Sequence, residues 1–381
     1  STINLNQLII NQKNLKLKPY FPSFNDRIKL ENHKIVVHYS KNKFDIKGNG
    51  NILLKDKSDN STYQIIKDNN DLLFDLKINI KNNSLLIDFL DYQKKENLDS
   101  LILVKGNLKE NNQFRFDLIS LKEKNNEILI EGLDLSKNFK IIDIENFKIN
   151  YKNNKNFLNK INLKKNNLNF SIDGESFDAS GLINNIMDSD EVETSIFYDL
   201  NSKINIKIKK TYIDEVNYLN NLYGNINFSN NKIDNLKLDS TFPNEKKINL
   251  SIETNNNSET ITKLFTAYPS PLIKRYDFIK GFEEGYLDFY STKKDGISNS
   301  ILTIDNFKVK EVPVFAKLLS LASLQGMADL LTGEGIRFTD FEMNFSNQNS
   351  LTKIKEMYAI GPAVSILMDG YIESKKLVSL R

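Results

Sequence analysis

The sequence predicts a mainly β chain, an antiparallel meander with a few short helices, and three observations carry that prediction. From Lys34 onward aliphatic residues recur with a period of two, as in Leu72, Phe74, Leu76, Ile78 and Ile80. Asparagine-rich clusters punctuate these runs at roughly the 8 to 12 residue spacing of a meander. One long apolar segment, Glu311 to Gly335, stands apart near the C-terminal end.

Composition sets the outer bounds. With 381 residues, 40% hydrophobic and 27% charged, the chain can bury a sizeable core in one to three domains. Its 52 basic and 49 acidic residues are interspersed, so no basic footprint for nucleic acid emerges. The absence of cysteine excludes disulfides and thiolate chemistry. The two histidines, His33 and His38, share a strand-like run, and their i, i+5 spacing puts them on opposite faces. That argues against joint metal ligation and leaves each a satisfied or exposed structural role.

Along the chain, residues 1 to 30 hold Pro19 and Pro22 and read as an edge strand plus a connector. Ile204, Ile206 and Ile208, then Ile226 and Phe228, Leu236 and Leu238, and Ile248, Leu250 and Ile252 each mark a half-buried strand. Lys67–Asp71, Lys81–Asn83, Lys124–Glu127, Lys164–Asn167 and Ser229–Lys232 read as tight hairpin turns. Asparagine suits them because it tolerates positive φ and bonds its own backbone. Two segments break the rhythm. Phe177–Met187 has helical apolar spacing, and Thr260–Ala267 reads as a short helix stopped by Pro269 and Pro271. Ile336–Phe345 and Ala363–Ile372 return to strands.

The apolar segment reads as one helix, Pro313 to Leu331. Pro313 takes a first-turn position that needs no N–H, Glu311 lies at the positive end of the dipole, and Gly333 follows as a left-handed stop. Phe315, Leu318, Leu319, Ala322 and Leu330 share one side, while Leu321, Leu324, Met327, Ala328 and Leu331 spread the apolar surface most of the way round. Such a helix fits a core plug at the end of a sheet, a contact with lipid, or a membrane span. Lys317, Gln325 and Asp329 count against the last.

No catalytic, cofactor or metal motif stands out. Gly48-Asn-Gly50 and Gly333-Glu-Gly335 fall at turn positions and lack the rest of a phosphate cradle. No Gly-x-Ser-x-Gly elbow is present. Glu283-Glu284 and Asp188/Asp190 are expected as solvated turns at this charge density. The expectation is a non-enzyme without cofactor or metal.

A resemblance gives this pattern a direction. Phe170-Ser-Ile-Asp-Gly-Glu-Ser-Phe-Asp-Ala-Ser-Gly-Leu-Ile183 resembles the strand, glycine, Ser-Phe-Asp-Ala, short-helix element of AsmA-like envelope proteins. The run from Ile301 to Gly326, continued by Leu330–Ile336, resembles their C-terminal region, most of all in the YhdP branch. The likeness covers Phe170 to Arg381, and only general strand pattern before that. One departure is Gly281-Phe-Glu-Glu-Gly285, read as a longer and more charged turn than the Gly-Gly pair of many relatives.

The resemblance implies an elongated, twisted antiparallel β-groove, a taco-like repeating sheet closed by a capping helix near 313–331. Residues 1–165 would be partial N-terminal groove repeats, and 166–381 the AsmA-like C-terminal region. It further implies a non-catalytic periplasmic conduit carrying phospholipid between inner and outer membrane. The partners would be phospholipid acyl chains, the inner membrane through an N-terminal anchor outside this chain, and an outer-membrane protein. Because the chain opens on Ser1 and stops at Arg381, it is expected to be a piece of a longer protein.

Some twenty strands at about 4.8 Å would make a trough on the order of 100 Å long. Burying a methylene contributes roughly 0.8 kcal/mol, so a two-chain lipid with about 30 of them faces on the order of 20 kcal/mol to cross water bare. Acyl contacts are expected on the inward strand faces and at Phe315, Leu318, Leu319 and Ala322. Two other readings fit the residues: a scaffold or assembly factor for outer-membrane biogenesis that carries no lipid, and an ordinary β-sandwich whose faces cover each other. An outer-membrane barrel fits poorly, since Trp is absent and Phe and Tyr form no girdles.

Overall fold

The computed structural model describes residues 1–11, 20–21, 27–41, 43–54, 57–68, 71–109, 113–181, 198–275, 280–310, 335–349, 351–373 and 377–380. These residues are mainly β, and they form two compact units, Ser1–Val216 and Asn217–Arg381. The expected division at 165/166 lies within a hairpin of the first unit.

The first unit contains β1 (Thr2–Asn11), β2 (Arg27–Ser40), β3 (Lys43–Leu54), β4 (Lys57–Asp68), β5 (Asp71–Ile80), β6 (Leu85–Ile87) and β7 (Tyr92–Lys94). It continues with β8 (Ser100–Leu108), β9 (Phe114–Glu123), β10 (Asn126–Leu135), β11 (Ile141–Lys152), β12 (Leu158–Asn166), β13 (Asn169–Asp178) and β14 (Ser202–Tyr212). All but β6 and β7 pair with their chain neighbours in one sheet, β5 passing directly to β8. Every pair is antiparallel except the last, β13 with β14, which is parallel. A parallel neighbour needs a crossover of a dozen residues or more rather than a hairpin, and the segment between Asp178 and Ser202 is long enough.

The second unit is a second meander: β15 (Tyr218–Ser229), β16 (Lys232–Thr241), β17 (Lys247–Thr254), β18 (Thr260–Thr266), β19 (Phe282–Lys294), β20 (Ile297–Val309), β21 (Ile336–Gln348), β22 (Leu351–Ile360), β23 (Ser365–Glu373) and β24 (Leu377–Leu380). All its described pairs are antiparallel. One short helix, α1 (Ser270–Arg275), interrupts it. No described pairing closes either sheet into a barrel: β1 has β2 alone as partner, and β24 has β23 alone.

The asparagine turns fold largely as their chemistry requires. Ser229 pairs with Lys232 across Asn230 and Asn231, at φ 50° and 64°. Asn166 pairs with Asn169, and Glu123 with Asn126, with Asn167 and Lys124 at positive φ. Positive φ at both central residues, as at Asn230 and Asn231, belongs to one favoured two-residue hairpin loop, and positive φ at the first alone, as at Asn167 and Lys124, to the other. Lys81–Asn83 departs from this pattern, since it leads into the β6–β7 hairpin instead of joining neighbours.

Three further expectations are corrected. Thr260–Ala267 is strand β18 rather than helix: its β-branched residues fit a pleated ladder, and the helix starts after Pro269, with Pro271 in its first turn. Gly48 and Gly50 lie inside β3, not in a turn. Gly281, at φ 65°, keeps a turn, but Phe282–Gly285 opens β19 instead of forming a loop, and Glu284 and Gly285, at φ 64° and 87°, make an irregularity in its ladder opposite Asn306. Phe177 and Asp178 end β13, while 182–187, the expected capping helix 313–331, and Asp188 and Asp190 lie outside the described residues.

Buried apolar side chains gather into two main clusters. In the first unit Leu121, Ile128, Ile149 and Tyr151 lie beneath the β6–β7 hairpin, which contributes Leu85, Leu90 and Tyr92. In the second, Ile273 of α1 packs with Phe282, Leu287, Ile304, Phe307 and Phe341. Elsewhere the described strands are held by their hydrogen-bonded neighbours within the sheet.

Candidate functional site

Cross-strand register decides which side chains meet, because residues directly opposite stand on the same face about 5 Å apart. In the first unit one unbroken row runs at right angles to the strands: Ile3, Ile35, Gly48, Tyr63, Leu76, Val104, Ile119, Ile130, Phe147, Leu163, Ile172 and Ile206. It crosses all twelve strands without a charge. At about 4.8 Å per strand it is about 50 Å long. A second row flanks it, from Ile78 through Ile102, Leu121, Ile128, Ile149 and Ile161 to Gly174 and Ile208.

In the second unit the corresponding row is Leu238, Leu250, Leu264, Phe289, Leu302, Met343, Met357 and Met368. Three methionines on adjacent strands give that end of the row an adaptable surface.

The rows are only partly covered. Leu76, Val104, Ile119, Ile130, Phe147 and Leu163 are half-buried although each stands mid-sheet, whereas Ile149 under the hairpin is 0% exposed. In a two-layer sandwich of this size the central row would be as buried as Ile149. Alternate residues on the other face mix aliphatic side chains such as Leu103, Leu118 and Leu129 with polar ones cross-linked by ion pairs such as Lys105–Asp75 at 2.8 Å and Lys160–Glu175 at 2.6 Å.

One polar crossing lies within the first row. Gly48 and Gly50 have no side chains, and the space is taken by the rings of Tyr63 and His33: a Cβ would lie 2.2 Å from Tyr63 Cζ and 2.4 Å from His33 Cδ2. His33, 1% exposed, donates from Nε2 to the Asn51 carbonyl at 2.9 Å, so its Nδ1 accepts from the Tyr63 hydroxyl at 3.3 Å. Burial raises the Tyr63 hydroxyl above its usual value. His38 is exposed, and the described residues contain no His, Asp and Glu grouping able to hold a metal.

A buried polar network fixes the covering hairpin. Asp59 accepts from the backbone N–H groups of Lys81 and Asn82, each at 2.8 Å, and from Asn83 Nδ2 at 2.8 Å. Lys94 Nζ donates to the carbonyls of Lys81 at 2.8 Å and Asn83 at 2.6 Å. Burial pulls the Lys94 ammonium below the usual lysine value, against the opposing pull of Asp59 and Glu123. Tyr92 donates to Glu123 Oε2 at 2.6 Å, and Tyr151 donates to the Leu90 carbonyl.

Each unit also carries a trough on its polar face. One of about 700 Å³ is bordered by Lys34, Lys47, Thr62, Gln64, Lys77 and Lys105, and one of about 560 Å³ by Lys237, Asn249, Lys263, Phe265, Asp288 and Tyr290. Burial, reinforced by Asp305, lifts the Asp288 carboxyl. Apolar side chains stand among the charged ones in both, Val36 and Leu103 in the first and Phe265, Tyr290 and Ile301 in the second.

Sequence reasoning expected acyl contacts on the inward strand faces, and the register assembles the apolar members of those faces into rows. Phe315, Leu318, Leu319 and Ala322 lie outside the described residues. The Tyr63–His33 crossing was missed; the Gly48-Asn-Gly50 spacing, two small residues on one strand face, was the available signal. No described helix is long and apolar enough to cross a membrane. Comparison with protein-family models, curated proteins and solved structures finds none that matches this chain.

Proposed function

We propose that the protein is a non-catalytic carrier of lipid acyl chains, which lie along the apolar rows of its sheets. The observation that carries the reading is the twelve-strand row from Ile3 to Ile206, uncharged, continuous and only half-covered. Monomeric proteins rarely leave so extended an apolar surface without an occupant. Hydrocarbon is the occupant it suits, because the row offers aliphatic contact along its length and a hydrogen-bonding side chain only at the Tyr63–His33 crossing.

The likeness of Phe170–Ile183 to AsmA-like envelope proteins supports the same reading. With it comes a periplasmic setting, phospholipid as the cargo, and tethering to the inner membrane by a segment outside this chain.

The test is substitution within the row. Ile130→Asp and Leu163→Asp put a carboxylate among half-buried side chains, so each variant retains a cooperative circular-dichroism melt while retained lipid falls about tenfold, equivalent to 1.4 kcal/mol. Ile149→Asp, in the covered core, unfolds the protein and serves as the contrast. Undiminished lipid in the folded Ile130→Asp and Leu163→Asp variants would exclude the row as the site.

A further inference from the structure

On the face of the first unit opposite the apolar row, we infer a binding site for phosphate-bearing anions in the trough across β2, β3, β4, β5 and β8. Two rows of cross-strand neighbours build it. Lys34, Asn49, Thr62, Lys77 and Leu103 stand in register in one, and Val36, Lys47, Gln64, Asp75 and Lys105 in the other. The rows lie two residues apart along each strand, about 7 Å. Within each row the two lysines are three strand spacings apart, about 14 Å. The four lysines therefore mark the corners of a lozenge, with Thr62 and Gln64 of the middle strand between them. Their long flexible stems let the ammonium heads lean over that centre.

Charge decides what fits. Among the described residues Asp75 is the one carboxylate lining the trough, and Lys105 engages it at 2.8 Å. Asp45, at the margin, lies 3.9 Å from Lys47 and accepts from Gln64 Nε2 at 2.8 Å. Lys34 and Lys77 are exposed and have no ion-pair or hydrogen-bond partner among the described residues. The trough of the second unit has no such surplus, since Asp239 and Asp288 stand beside Lys237 and Lys263. Ammoniums gathered on one face repel one another, and a bound oxyanion relieves that repulsion. Because the surplus is two ammoniums, a group carrying two negative charges suits it better than a lone carboxylate. Lysine holds phosphate as a point charge, and the Thr62 hydroxyl adds a neutral donor. The site faces away from the apolar row and does not depend on the lipid reading.

The test titrates the chain with inorganic pyrophosphate by calorimetry at about 0.1 M salt, where charges more than about 10 Å apart are screened. Saturable binding is expected. Lys34→Ala combined with Lys77→Ala weakens it by about tenfold or more with an unchanged melt. If that pair unfolds, Lys34→Gln with Lys77→Gln replaces it. Lys148→Ala combined with Lys160→Ala removes the same charge from lysines paired with Glu127 and Glu175, and leaves binding unchanged. Sedimentation with phosphatidylglycerol vesicles, against phosphatidylcholine vesicles, separates two sources of the anion. Vesicle binding that the Lys34/Lys77 variant loses and pyrophosphate displaces marks a membrane headgroup; pyrophosphate binding without vesicle binding marks a soluble phosphate compound. Binding of neither, or binding that the two double variants retain or lose equally, overturns the inference.

Discussion

Tyr92 and Tyr151 show how single buried groups fix the covering hairpin and how they respond to pH. Burial, strengthened by the hydrogen bond to Glu123, raises the Tyr92 hydroxyl; burial, then the charge of Asp91, raises Tyr151. A raised folded-state value means the fold favours the protonated form. Their contribution is therefore full below the unfolded tyrosine value near 10 and is lost as pH rises beyond it. Tyr92→Phe also leaves Glu123 without its donor, a loss of about 1–3 kcal/mol. The gap in urea midpoint between wild type and Tyr92→Phe is expected to hold at about pH 8 and shrink toward pH 11; a constant gap would contradict the assignment. None of this was legible in the sequence, because the Tyr92–Glu123 contact joins residues that only the fold brings together.

The strand is the element the sequence specifies best. Leu72–Ile80 and Lys247–Thr254 were readable because one face is apolar and the other wet, and period two leaves no other assignment. The turns were readable wherever asparagine supplies positive φ. At Asn231, φ 64°, Asn231→Val is expected to lower stability by about 1–2 kcal/mol and Asn231→Gly to leave it nearly unchanged, as read from thermal melts. Equal effects would remove the left-handed requirement. What failed was local in a different sense. Leu264 and Phe265 gave Thr260–Thr266 a helical look that ladder pairing on both sides overrode, and the parallel β13–β14 pair depends on a crossover whose course periodicity does not encode.

At the scale of each whole sheet, alternation told which residues share a face, but the rows depend on register between strands, which no local pattern carries. Twelve strands bring Ile3 to Ile206 into line because successive turns each hold their register; a one-residue slip in any hairpin would send half the row to the wet face. That alignment is the physical basis of the proposed carriage of lipid. Its most direct measurement is native mass spectrometry of the chain purified from its source without added detergent, followed by extraction of what it holds. The account predicts at least one diacyl lipid bound per chain, released when Ile130→Asp is introduced. A protein that carries no lipid under those conditions would contradict it.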